Sequence, residues 1–231
     1  YFDDGLRLNM LLPTPYYWKI GAEFFSGRRL VDGTGDDDVG VSTFVSKWGG
    51  DIGNSSWQLG VSYLNHRLTI ELEEEEEGVD EHDHEGHSHS ALYGGENTWI
   101  ADAVWKWAPQ GNAQKRSVTA SAEIFRVDNL NEYASDDDQH TGWYSSVVLG
   151  FGPQWLVGLR HGEAELSQAH GDHFHSQDLQ ETTLMASWSR SHFSTVRLQY
   201  TSQSGDGFDA IDDSLTLQYV MTLGAHGAHE F

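Results

Sequence analysis

The stretch TWIADAVWKWAP, residues 98–109, alternates apolar and polar side chains with a period of two. Every second position from Trp99 to Trp107 holds Trp or Ala, whereas the positions between them include Asp102 and Lys106. Successive side chains of a β-strand point to opposite faces of the sheet, so this pattern predicts a strand with one apolar and one polar face. The same alternation recurs in SWQLGVSY at 56–63 and in SLTLQYVMTL at 214–223.

Eleven stretches of the chain alternate in this way, near residues 5–13, 17–27, 41–52, 56–69, 97–109, 117–128, 142–152, 155–166, 182–192, 194–204 and 213–224. Their length fits tilted strands that cross a bilayer, which need about 9–11 residues. The connections alternate between short turns and long polar segments, and the long ones lie near 28–40, 70–96, 129–141, 167–181 and 205–212. The sequence therefore predicts an all-β fold, an antiparallel transmembrane β-barrel with about 11–12 strands in one domain over residues 1–231.

Trp and Tyr residues collect near both ends of the predicted strands. Those near the short turns are Trp18, Trp48, Trp57, Trp107 and Trp155, and those near the long segments are Tyr63, Trp99, Trp143 and Tyr200. Such belts are typical of proteins that sit in a membrane with aromatic side chains at both interfaces. A soluble β-sandwich also alternates, but its apolar face packs inward and would rarely sort Trp to both strand ends.

The strand count predicts that the chain is part of a larger barrel. If the short turns face the periplasm, the stretch 5–13 descends from outside and Tyr1 lies on the extracellular side. Bacterial barrels normally have an even number of strands and both termini inside. We therefore expect further strands before residue 5, with a miscounted hairpin as the alternative.

The composition excludes several classes of function. Thirteen Lys and Arg residues against 36 Asp and Glu give a formal charge of -23, which argues against a nucleic-acid partner. The absence of Cys excludes disulfides, a thiol nucleophile and a Cys-zinc site. Neither G-x-S-x-G nor H-E-x-x-H occurs, so we expect no enzyme activity and assign no catalytic residue.

Three stretches resemble a poorly characterised family of Gram-negative outer-membrane barrels, described as porin-like, some of them zinc-linked and with His-rich loops. They are KWGGDIGNSSWQLGVSYL at 47–64, WIADAVWKWAPQGN at 99–112 and LGAHGAHEF at 223–231. The last strand, ending in Phe231, is similar to the terminal strand that the barrel-assembly machinery recognises. The resemblance extends from Leu6 to Phe231. It implies an outer-membrane location in contact with lipid and lipopolysaccharide, with the long loops extracellular and the C-terminus periplasmic, and it leaves homo-oligomer formation open.

Two predicted extracellular loops are rich in imidazole and carboxylate groups. The candidate metal ligands are His82, His84, His87, His89, Asp83 and Glu85 in the loop 70–96, and His170, Asp172, His173 and His175 in the loop 167–181. This donor set suits zinc, nickel or copper, although a mobile loop without Cys predicts modest affinity and little selectivity. No cofactor is required in this interpretation, and the divalent metal is a bound or transported ion. The alternative is a solvated acidic surface that binds no metal.

Parity along the strands assigns a second set of residues to the inside of the barrel. The predicted pore-lining residues are Arg7, Lys19, Glu23, Lys47, Asp102, Lys106, Glu123, Arg160 and Arg197. Charged walls tune the ion preference of a water-filled pore. The sequence thus predicts a porin-like channel that captures divalent metal, zinc first, and passes it or small solutes into the periplasm. The alternative is a general porin or structural barrel whose acidic loops only supply surface charge, lipopolysaccharide bridging or adhesion.

Overall fold

The computed structural model describes residues 4–26, 40–66, 96–130, 139–170, 173–191, 193–206 and 212–222. These residues form eleven β-strands and a short 3-10 turn at Pro109–Gly111. The strands are β1 Gly5–Leu11, β2 Tyr17–Phe25, β3 Val41–Ile52, β4 Ser55–His66, β5 Asn97–Trp107, β6 Arg116–Asp128, β7 Gln139–Phe151, β8 Trp155–His170, β9 His173–Ser191, β10 Ser194–Gly205 and β11 Asp212–Met221.

All eleven strands belong to one sheet, in which each strand is antiparallel to the next along the chain. The predicted all-β, antiparallel fold class is confirmed, and the eleven strands among the described residues agree with the expected 11–12. Within the described residues β1 and β11 are the two edges and do not pair with each other, so the sheet is open there. Because eleven is odd, β1 and β11 run in the same direction.

The β8–β9 hairpin corrects one predicted boundary. The expected loop 167–181 is wrong, since β8 continues to His170 and β9 already begins at His173. Period two fails to reveal these strand ends because consecutive polar residues, at 167–168 on β8 and 175–178 on β9, occupy both faces. The backbone ladder itself needs no apolar side chain. In the same way β7 begins at Gln139, inside the predicted connection 129–141.

Among the described residues, the last rungs of this hairpin pair only with each other. The register of β9 with β10 ends where Leu179 faces Gly205. The outermost contacts between β8 and β7 among the described residues are those of Ser167 with His140 and with the carbonyl of Gln139. Three rungs lie beyond Ser167, and the outermost pairs His170 with His173. At about 3.4 Å per residue these rungs extend roughly 10 Å past Ser167. We call this segment, residues 168–175, the β8–β9 ribbon.

The cross-strand register gives the sheet two faces of opposite character. Directly opposed residues share a face, and one such row joins Leu8, Ala22, Phe44, Tyr63 and Trp99 on what we call the apolar face. The other face, the polar face, carries the intervening residues.

The apolar face is largely uncovered. Its side chains include Leu217 at 72% exposure and Leu198 at 46%, and the described residues contain only Val41 and Leu130 as fully buried hydrophobic side chains. No second sheet packs on this face within the described ranges, so the β-sandwich alternative does not apply there. An apolar surface this large calls for an apolar partner. No helix among the described residues has the length and apolar character to cross a membrane.

Aromatic rings lie at both ends of the apolar face, as the sequence predicts. Near the short turns the rings of Trp18 and Trp48 are 6.1 Å apart, and those of Trp155 and Trp188 are 6.4 Å apart. Near the long connections the ring centroid of Trp99 lies 4.3 Å from that of its cross-strand partner. The eight-residue step from Trp99 to Trp107 spans about 27 Å along the strand, or about 20 Å after a 35–45° tilt.

On β8 the last apolar side chain before the polar residues of this face is Leu159. The next residue on the same face is His161, whose Nδ1 lies 2.8 Å from the Thr182 hydroxyl and whose Nε2 lies 3.5 Å from Glu163. The His161 ring also contacts Trp143 edge-on, with centroids 5.6 Å apart. The polar residues therefore begin at the level of an aromatic ring, as at a boundary between an apolar and an aqueous layer.

The β3–β4 turn depends on a backbone conformation that favours glycine. Ile52 pairs with Ser55, and Gly53 between them has φ +61° with no heavy atom near the position of a Cβ. A two-residue hairpin with glycine first and a positive φ matches a type II′ turn.

Replacing Gly53 by Ala should lower the free energy of unfolding by roughly 1 kcal/mol, because an L side chain is strained at positive φ. The measurement is chemical unfolding of the complete protein followed by Trp fluorescence. Asn54→Ala is the matched control and should change stability by less than about 0.5 kcal/mol. Equal losses in both variants would contradict the assigned turn.

Candidate functional site

All nine predicted pore-lining residues lie on the polar face. The register places them there in a consistent pattern across the sheet: Arg7, Lys19, Glu23, Lys47, Asp102, Lys106, Glu123, Arg160 and Arg197. Together they bring acids and bases onto one continuous surface. Their assignment to a channel wall stays a prediction, since the described sheet is open.

Opposite charges are segregated along one row of this face. Lys19 on β2 opposes Lys47 on β3, and Gly60 on β4 separates them from Asp102 and Glu123 on β5 and β6. Further along the row Glu181 and Asp212 add two more carboxylates. A solute that crosses this row therefore meets cations on one side and carboxylates on the other.

Gly60 makes room for the side chain of Asp102. A Cβ added at Gly60 would overlap the carboxylate of Asp102, so that carboxylate leans over β4 toward the lysine strands. Lys47 is the neighbour of Gly60 on the far side, yet it forms no ion pair within the part of the chain that the structure describes. The two signs of charge thus approach across β4 without contact at ion-pair distance.

Tyr144 links two of the predicted residues. The Arg160 guanidinium lies 4.3 Å from the centroid of the Tyr144 ring, and the Tyr144 hydroxyl donates to Glu123 over 3.5 Å. A cation over an aromatic face is attracted by the ring quadrupole. The sequence did not point to Tyr144, because its role depends on which residues stand opposite it in the register.

Two further acids of the polar face, Glu23 and Glu181, are held by neighbouring donors. Arg7 forms an ion pair with Glu23, in which the side chains are 66% and 25% exposed. Solvent screens such a pair, so it orients the two groups more than it stabilises the fold. Glu181 accepts from Gln203 over 2.7 Å and from the buried Thr183 over 3.2 Å. Glu181 was missed because it fell at the border of a predicted loop.

The predicted metal ligands divide into two groups. His82, His84, His87, His89, Asp83, Glu85 and Asp172 lie outside the described residues. The ribbon places the backbone of His170 directly opposite that of His173, and His175 opposite Gln168. Within the described ranges no three His, Asp or Glu residues are grouped so that they could hold a metal ion. Metal binding therefore stays a prediction.

The fold and the polar face define a class, an all-β protein with a single antiparallel sheet and one charged face. No protein-family model and no solved structure matches the chain. A protein of Aquifex aeolicus (strain VF5), described as uncharacterized, is 24% identical over 257 aligned positions, which cover 99% of this chain and 51% of that protein. The chain thus spans about half the length of this relative, whose description names no activity. The resemblance to porin-like barrels stays a prediction.

The contact between Gly60 and Asp102 predicts an energetic coupling. Gly60→Ala should lower the free energy of unfolding more in the wild-type background than in an Asp102→Ala background, with a coupling energy of about 0.5–2 kcal/mol. The added methyl group must displace the carboxylate in the first case only. The four proteins are compared by chemical unfolding. Additive effects of the two substitutions would show that the carboxylate does not occupy this space.

Proposed function

We propose that this chain forms part of a closed outer-membrane β-barrel whose polar face lines a water-filled channel for small solutes. The observation that carries the proposal is the opposite character of the two faces. The apolar face is exposed, bounded by aromatic rings and suited to lipid, whereas the polar face bears unlike charges that water must solvate. An open sheet with this segregation fits a barrel wall better than a packed core.

In this proposal the barrel closes through further strands. β1 and β11 run in the same direction, so an antiparallel closure needs an odd number of strands between them. The length of the Aquifex aeolicus relative, about twice the aligned part, is compatible with such strands in one polypeptide. An odd number of further strands added to the eleven also gives an even total, as in bacterial single-chain barrels.

The second part of the proposal is that acidic His-rich segments gather divalent metal at the mouth of the channel, with zinc as the first candidate. The connection between β4 and β5 contains HDHEGHSH at 82–89, and it leaves the same end of the sheet as the β8–β9 ribbon. Carboxylates raise the local cation concentration, and imidazoles then exchange the ion quickly enough for it to diffuse inward.

The membrane part of the proposal predicts a difference between two neighbouring positions. Leu198→Arg on the apolar face should lower the free energy of unfolding in phospholipid vesicles by about 2–4 kcal/mol, because it puts a charge into hydrocarbon. Gln199→Arg on the polar face should change it by less than about 1 kcal/mol. Unfolding transitions of the complete protein in vesicles supply the values. If Gln199→Arg lowered the free energy of unfolding more than Leu198→Arg, the polar face would be the one in contact with lipid, and the proposal would be wrong.

The metal part is tested by zinc influx into liposomes that contain the complete protein. Deletion of residues 73–90 should slow influx several-fold at low zinc and little at saturating zinc, while influx of a neutral sugar stays unchanged. Two variants of full length separate the causes. Replacing His82, His84, His87 and His89 by Asn removes ligation, and replacing the five acids Glu73–Glu77 by Gln removes charge only. If all variants admit zinc as the wild type does, the segment is surface charge on a general porin.

A further inference from the structure

Two lysines stand directly opposite each other on the polar face. Lys19 and Lys47 are paired in the β2–β3 register, and both are half-buried. Their Cβ atoms are therefore about 5 Å apart, a distance at which like charges on neighbouring strands destabilise a sheet. Neither forms an ion pair with any described residue, although the chain carries 36 acidic residues. The sheet thus tolerates a local positive charge that its own carboxylates do not neutralise.

A hollow of about 370 Å³ lies beside Lys19, which is the member of the pair that lines it. It crosses the strands β1 to β5, and its lining is charged or polar at Arg7, Lys19, Glu23 and Thr43 and apolar at Leu64 and Ile100. Gly21 leaves space in this hollow, because a Cβ at that position would lie only 2.7 Å from the side-chain amide oxygen of Asn9. Hydroxyl and amide groups supply neutral hydrogen-bond donors beside the ammonium group of Lys19.

The carboxylates near the hollow leave its charge positive. Glu23 is engaged by Arg7, so that pair contributes little net charge. Asp102 is the nearest acid along the row, but its carboxylate lies over Gly60, on the side of Lys47 away from Lys19. The ammonium group of Lys19 in the hollow, that of Lys47 directly across the register, neutral donors and space for a few heavy atoms are features that recognise a small oxyanion.

We propose that Lys19 and Lys47, with the adjoining hollow on the polar face, form a binding subsite for a small oxyanion, a carboxylate or phosphate. The two ammonium groups share the anion, which relieves their mutual repulsion. Asp102 sets the far limit of the positive region and lowers the affinity. The subsite goes beyond the proposed channel function and relies on it only for access through the lumen.

Binding is measured by calorimetry on the complete protein in detergent micelles, with inorganic phosphate and acetate as the probes. The wild type should bind phosphate more weakly as salt rises, because the contact is electrostatic. Lys19→Gln combined with Lys47→Gln should raise the Kd by at least about tenfold. Lys106→Gln removes a cation from the same face, opposite Ser56 and away from Lys19 and Lys47, and should leave the Kd within about twofold. Asp102→Asn should tighten binding.

Unchanged binding in the double variant, equal loss in Lys106→Gln or no binding by the wild type would each overturn the subsite. Replacing both lysines by Arg keeps the charges and should keep binding, which separates loss of charge from loss of fold. Solute flux in liposomes is recorded in parallel. If the protein binds phosphate in micelles but passes no solute, the channel is refuted and the subsite stands. If it passes solute but binds no phosphate, the subsite is refuted and the channel stands.

Discussion

The continuous cross-strand register is the constraint on which the rest of the structure depends. From β1 to β11 each strand pairs with the next, with one irregularity at Ser194, so the parity of a residue decides its face across the whole sheet. A shift by one residue would move every side chain of a strand to the other face. The exposed apolar surface and the ordered charges on the opposite surface both follow from this register.

Local alternation was enough to predict the faces but not their contacts. The positions of Arg7, Lys47 and Arg197 on one face follow from period two alone, because parity within a strand is a local property. The link from Arg160 through Tyr144 to Glu123 could not be foreseen, since it depends on three strands being aligned to within one residue. The same holds for the carboxylate of Asp102 over Gly60.

The strand ends were harder to predict than the strand centres. Around Ser167 and Ser176 both faces are polar, so the alternation that marks a half-covered strand disappears although the backbone ladder continues. Hydrophobic patterning reports where side chains meet an apolar partner, not where hydrogen bonds between strands stop. The ribbon is therefore visible only in the structure. The metal ligands proposed from the sequence remain predictions, because most of them lie outside the described residues.

The β8–β9 ribbon changes the thermodynamic setting of its histidines. A donor on a flexible segment loses chain entropy when it closes around an ion, and that loss weakens binding. In the ribbon the backbones of His170 and His173 are already held at a fixed cross-strand separation, so part of this ordering accompanies folding. As a receptor for the proposed ion, this ribbon would therefore offer two histidine positions at a preset spacing and with a smaller entropic penalty.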